Sequence, residues 1–192
     1  ILTSDAHRFV VTDLRENRVF LGEPCAANIE RILSLPLAGP DVARLFFGEV
    51  PSFEGELENN NPAICSDGLY EVRRRSTDGV LQTARFEVRA EDRDLAPSDQ
   101  RLRLTEVVQQ NASGQTIFQV RLENYQVVVD PTDTETVRRG MAMPHRLIVS
   151  HPERGIQTTV RIGYVAINEI NPPGAFEQPE HPELVHETLL CD

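Results

Sequence analysis

The feature that most constrains this chain is a two-residue period. In the run Ala84 to Arg89, Ala84, Phe86 and Val88 fall on one side and Arg85, Glu87 and Arg89 on the other. That is how an antiparallel strand reads when one face is buried and the other wet. The alternation recurs at Phe118, Val120 and Leu122 against Gln119, Arg121 and Glu123. Turn signals punctuate it at Arg15-Glu16-Asn17, at Thr77-Asp78-Gly79, at Asn111-Ala112-Ser113-Gly114 and at His151-Pro152-Glu153-Arg154-Gly155. From Tyr125 the apolar positions (Tyr125, Val127, Val129) change phase, which predicts a β-bulge or bend near Asn124, a device that lets a sheet curl. The pattern predicts about nine to eleven strands without βαβ alternation. The expected fold is therefore mainly β (α+β): a strongly curved antiparallel sheet or unclosed β-barrel, in a single domain over residues 1–192.

One stretch replaces this period with a helical one. Between Cys25 and Leu35, Ile29, Ile32 and Leu33 recur at helical spacing, and Pro36 ends the pattern. Gly39-Pro40-Asp41 suits a second helix start, Val42, Leu45 and Phe46 share its apolar side, and Gly48 stops it. Each helix is too short to stand alone. We expect a helical hairpin over 25–48 that covers the concave face of the sheet. Residues 51–67 show no period and read as a long loop, and residues 171–192 as a proline-rich segment with one last short strand near Leu184 to Leu190.

Charge narrows the function. All 19 basic residues are arginine, against 30 acidic ones, for a net charge of −11. Nucleic acid is not an expected partner, because phosphate binding needs a basic face. Arg73-Arg74-Arg75 reads as a solvated strand face balancing nearby acids. No run of about 18 apolar residues offers a membrane-spanning helix. The chain opens on ILTSDAHRFVV, which reads as the middle of a strand, so we expect a mature or truncated form whose upstream part carried any targeting or anchoring signal.

Catalytic patterns are weak. No GxSxG, HExxH or phosphate-binding glycine loop is present, and no cofactor is expected. His145 and His151 would stand about 20 Å apart along a strand, too far to share a metal. The three cysteines, Cys25, Cys65 and Cys191, lack zinc-ligand spacing. In an oxidising compartment they give one bridge and one free thiol. Cys25 to Cys65 is the favoured pair, closing a loop of roughly 40 residues worth about 4 kcal/mol. Three reduced, buried thiols are the equal alternative.

Asn28-Ile29-Glu30-Arg31-Ile32-Leu33, Leu35-Pro36-Leu37, Leu45-Phe46-Phe47-Gly48 and the segment around Ile170-Asn171 to Phe176 resemble one known group. It is the LolA/LolB-like superfamily of bacterial envelope lipoproteins, in particular a LolB-related periplasmic branch. The resemblance runs over most of the chain. It implies an unclosed barrel whose helices enclose an apolar cavity for acyl chains of lipoproteins or other lipids, and a periplasmic protein tethered to the outer membrane by an upstream lipidated cysteine. The expected ligand-binding residues are Ile29, Ile32, Leu33, Val42, Leu45 and Phe46 from the helices, with Phe86, Val88, Phe118, Val120, Leu122, Val160 and Ile162 from the strands. The expected function is that of a lipid or lipoprotein carrier or receptor, not an enzyme. The alternative is a non-catalytic accessory subunit of an envelope complex, with the cavity filled by its own side chains.

Overall fold

The computed structural model describes residues 2–4, 7–33, 35–58, 63–64, 67–129, 141–165, 167, 173–174 and 181–191. In chain order the elements begin with β1 (Leu2–Ser4), β2 (Phe9–Asp13), β3 (Arg18–Gly22), α1 (Ala26–Leu33), α2 (Gly39–Phe46), β4 (Glu56–Leu57) and β5 (Ala63–Ile64). They continue with β6 (Tyr70–Arg75), β7 (Leu81–Val88), β8 (Leu102–Gln110), β9 (Thr116–Val128), β10 (Met141–His151), β11 (Ile156–Arg161) and β12 (Val185–Leu189). The fold is mainly β with two helices, and among the described residues neither of its two sheets closes into a barrel.

Where the sequence reads as one domain, the chain groups into two compact units. The first joins both ends of the chain, Ile1–Pro40 with Asn168–Asp192, and the second is Asp41–Ile167. The first is built on a four-stranded sheet of order β1-β2-β3-β12. Its β2–β3 hairpin turns where the sequence predicts: Asp13 Oδ1 accepts the backbone N–H groups of Arg15 and Glu16, at 2.9 and 3.3 Å, and Asn17 takes a left-handed φ of 54°. β12 runs parallel to β3, pairing Val185 with Arg18 and Leu189 with Gly22. A parallel neighbour far along the chain leaves no local turn signal, so only the strand, not its pairing, was foreseeable.

The second unit is an eight-stranded sheet. Its order is β11-β10-β9-β8-β7-β6-β4, with β5 also on β6, and every pair is antiparallel. Within the stretch read as a loop, Glu56–Leu57 and Ala63–Ile64 pair with β6. Cross-strand register puts Ala84 opposite Val107, Val107 opposite Val120, Val120 opposite Val149, and Leu122 opposite Leu147, which faces Val160. These rows make one continuous apolar face, in which Val107, Phe118 and Val120 are fully buried. Burying each such side chain contributes about 1.5–3 kcal/mol.

The register of this sheet shifts at two places, between Arg85 and Phe86 against β8 and between Gln109 and Gln110 against β9, where Ile117 is the extra residue. Arg85 pairs with Glu106 but Phe86 with Leu104, so Thr105 is an extra residue in β8. Leu104 and Val107, three apart in sequence, thereby both reach the apolar face and are buried. The expected bulge at Asn124 is not found: the register runs unbroken from Glu123–Arg146 to Tyr125–Pro144, although Asn124 itself takes a left-handed φ of 55°. The apolar phase behind that expectation does not change as predicted: Val128 is buried, whereas Val127 and Val129 are exposed.

Candidate functional site

The two helices belong largely to different units, so the expected hairpin cover is divided. α1 lies on the four-stranded sheet. Asn28, fully buried, donates from its amide to the carbonyls of Glu23 and Leu189 at 3.0 and 3.4 Å. Beneath it sits Gly22, where a Cβ would meet the Leu189 carbonyl oxygen at 2.9 Å and the Asn28 amide and Phe9 ring at 3.1 Å each. Only glycine lets helix, strand and aromatic ring approach this closely. Cys25, immediately before α1, is disulfide-bonded to Cys191, just beyond β12. This corrects the expected Cys25–Cys65 pairing: the partner lies 166 residues away and is brought near by the parallel β3–β12 ladder. Cys65 lies outside the described residues.

Along this helix the strands leave an open cleft of about 480 Å³ lined by Val11, Asp13, Phe20, Arg31, Ile32, Glu187 and Leu189. Register explains the set. Val11 pairs with Phe20 and Phe20 with Glu187, so their side chains share the face that α1 overlies. Val11, Phe20, Ile32 and Leu189 make an apolar floor, with Asp13, Arg31 and Glu187 at the polar positions.

In the second unit, the segment leaving α2 is seated on the eight-stranded sheet. Asp41 Oδ1 accepts the Ser52 N–H at 2.8 Å, Gln82 donates to the Pro51 carbonyl at 3.5 Å, and Gly48, at φ 74°, lies against Tyr125 and Pro144. The Tyr125 hydroxyl donates to the Leu104 carbonyl at 2.5 Å, the Arg103 guanidinium stacks over its ring, and burial pushes its phenol well above the usual range.

The polar face of this sheet holds a second concavity, of about 570 Å³. Its charges neutralise one another. Glu71 receives Arg73 Nε at 2.5 Å and Arg85 Nε at 2.9 Å. Glu106 receives Arg85 Nη1 at 2.6 Å and Arg121 Nε at 3.3 Å, and also Gln119. Arg103 faces Glu87 at 2.5 Å, and Arg146 faces Glu123 at 2.7 Å. Burial pushes Glu71 up, but the hydrogen bonds and charges of Arg85 and Arg73 outweigh it and hold the carboxyl below its usual range. Each arginine lining this groove is engaged by a carboxylate, which makes it a solvated ion-pair lattice rather than a poised site. The Arg73-Arg74-Arg75 cluster behaves as the sequence suggested: Arg73 turns to Glu71 and Arg75 to Glu58.

The expected ligand-binding residues do not converge on one place. Ile29 and Ile32 are on α1, and of the helical set only Ile32 lines the cleft. The side chain of Leu33 lies outside the described residues. Val42, Leu45, Phe118, Val120 and Leu122 are buried in the second unit. Phe46, Phe86, Val88, Val160 and Ile162 are half-buried there. Leu35 and Leu37, which carried no prediction, are as buried as the core. The cleft residues that sequence reasoning missed are Val11, Asp13, Phe20, Arg31, Glu187 and Leu189. The β2–β3 hairpin could have placed Val11 beside Phe20, but nothing local announces β12 as the third wall.

Among the described residues, no group of three or more His, Cys, Asp or Glu could hold a metal. His145 and His151 are buried on β10, and His145 Nδ1–H donates to the Ile162 carbonyl at 2.9 Å. No described helix is long and apolar enough to cross a membrane. Comparison with family profiles, curated proteins and solved structures finds no match for the chain.

Proposed function

We propose that this chain is a non-catalytic binding protein of the bacterial cell envelope that holds the acyl chain of a lipid or lipoprotein in the cleft between α1 and the four-stranded sheet. The observation that carries the proposal is the cleft itself: about 480 Å³, floored by Val11, Phe20, Ile32 and Leu189, with one wall an amphipathic helix. That volume falls in the ordinary range for small-ligand sites, roughly 300–1,000 Å³. Apolar burial is a sufficient drive. A twelve-carbon chain wholly buried gains about 9–10 kcal/mol at about 0.8 kcal/mol per methylene, before ordering costs. The Cys25–Cys191 disulfide supports an oxidising compartment, hence a periplasmic protein, in keeping with a lipid-tethered member of the group the sequence resembles.

Native mass spectrometry of protein purified from its source tests this reading. A co-purifying acyl-bearing adduct is expected, lost in Ile32→Asp or Phe20→Asp while the circular dichroism of the sheets is retained. Wild-type protein free of adduct that also fails to take up added amphiphile would overturn it. That result would favour the second reading, an accessory subunit of an envelope assembly. Full burial of Leu45, Val107, Phe118 and Val120 supports that second reading, because it describes a sheet face filled by its own side chains.

A further inference from the structure

We propose that Arg31 is the headgroup residue of the cleft and that the ligand is a single-chain amphiphile with a carboxylate end, a long-chain fatty acid. The inference rests on the acyl-binding reading and adds what the charges around the cleft select. Three charged side chains line it: Asp13, Glu187 and Arg31. Both acids are engaged within their own unit. Asp13 Oδ1 accepts the N–H groups of Arg15 and Glu16, at 2.9 and 3.3 Å, and so is part of the β2–β3 turn. Glu187 Oε2 lies 3.7 Å from Nη1 of Arg18, its diagonal neighbour on β3.

Arg31 has no carboxylate partner among the described residues. It is exposed in the last turn of α1, directly before Ile32, so a guanidinium with open hydrogen-bonding capacity adjoins the apolar floor. A guanidinium presents paired N–H donors that match a carboxylate in a bidentate way. The cleft accommodates one chain. At roughly 30 Å³ per group, the share of a water in the liquid, its volume holds about sixteen methylene-sized units. A cationic headgroup would instead meet the Arg31 guanidinium, the charged side chain of the cleft that no described group engages.

Competition against a fluorescent fatty-acid probe, using dodecanoate, dodecanol and dodecylammonium with the full chain, tests the proposal. Dodecanoate is expected to bind about three- to fivefold more tightly than dodecanol, the upper part of the range for a part-exposed ion pair. High salt should erode that preference. Arg31→Gln should abolish the preference while leaving dodecanol affinity unchanged, and Arg31→Glu should turn it toward dodecylammonium. Equal binding of acid and alcohol by the native protein, or a preference that survives in Arg31→Gln, overturns the role of Arg31 and leaves the cleft standing. Failure of all three amphiphiles to bind overturns the cleft reading and this proposal with it. An unchanged melting temperature in Arg31→Gln separates a lost contact from a lost fold.

Discussion

Single side chains do most of the fixing where strands must be joined without regular structure. The polar connection between β7 and β8 is clipped by Asp92, whose carboxylate takes the Arg101 backbone N–H at 3.0 Å and its Nε and Nη2 at 2.7 and 2.8 Å. Those side-chain hydrogen bonds, helped by the backbone N–H and the guanidinium charge, hold Asp92 down at about 2 against an ordinary 3.8. The folded state thus gives up this proton more readily than the unfolded chain does. The stability it contributes is complete above pH 3.8 and is lost as the pH falls towards about 2. Thermal melts of the native protein and Asp92→Asn should therefore differ at neutral pH and converge between pH 4 and 2. A gap that stays constant through that window would show that the clip does not couple to folding.

At the scale of elements, α1 and β12 come close together over Gly22 in the first unit. In Gly22→Ala the new methyl would meet a backbone carbonyl at 2.9 Å, which cannot rotate away, so strand or helix must shift. We expect a loss of about 1–3 kcal/mol, typical of overpacking, together with weaker acyl binding. Gly163→Ala, where no described atom lies within 4 Å of the new methyl, should do neither. Urea unfolding of the two variants side by side checks this. In the second unit, Leu45 is fully buried, and Leu45→Ala should cost about 2–5 kcal/mol by the same measurement. What was legible in advance follows from the range of each signal. Alternation and turns act over a few residues, so the meander from β6 to β11 and the apolar side of β7 could be read. The β3–β12 ladder, the partner of Cys25 and the sheet that each helix serves depend on residues far apart in sequence, which no local period encodes. The two helices are therefore legible along the chain, but the sheet each one serves is not, and neither is the cleft along α1.

Across the whole molecule, the first unit is assembled from both ends of the chain, and the Cys25–Cys191 bond spans nearly all that lies between, 166 residues. Closing so long a loop restricts the unfolded ensemble by about 5 kcal/mol on the chain-entropy argument. Cys25 leads directly into α1 and Cys191 lies two residues beyond Leu189, so the same bond ties together two of the walls of the cleft. Reduction should then have two separable effects. Urea unfolding with a dithiol present should move to a lower midpoint, with a somewhat steeper denaturant dependence because the reduced unfolded chain exposes more surface. Well below that midpoint, where the sheets remain folded, the reduced protein should still release bound fatty acid faster than the oxidised one. Cys191→Ser should reproduce both effects without reductant and become insensitive to it, whereas Cys65→Ser should keep the full response to the dithiol. If Cys191→Ser unfolded at the oxidised midpoint, the bridge would not be what holds the ends of the chain. If it released ligand at the oxidised rate, the walls of the cleft would be held by the Asn28 hydrogen bonds and the packing over Gly22 alone.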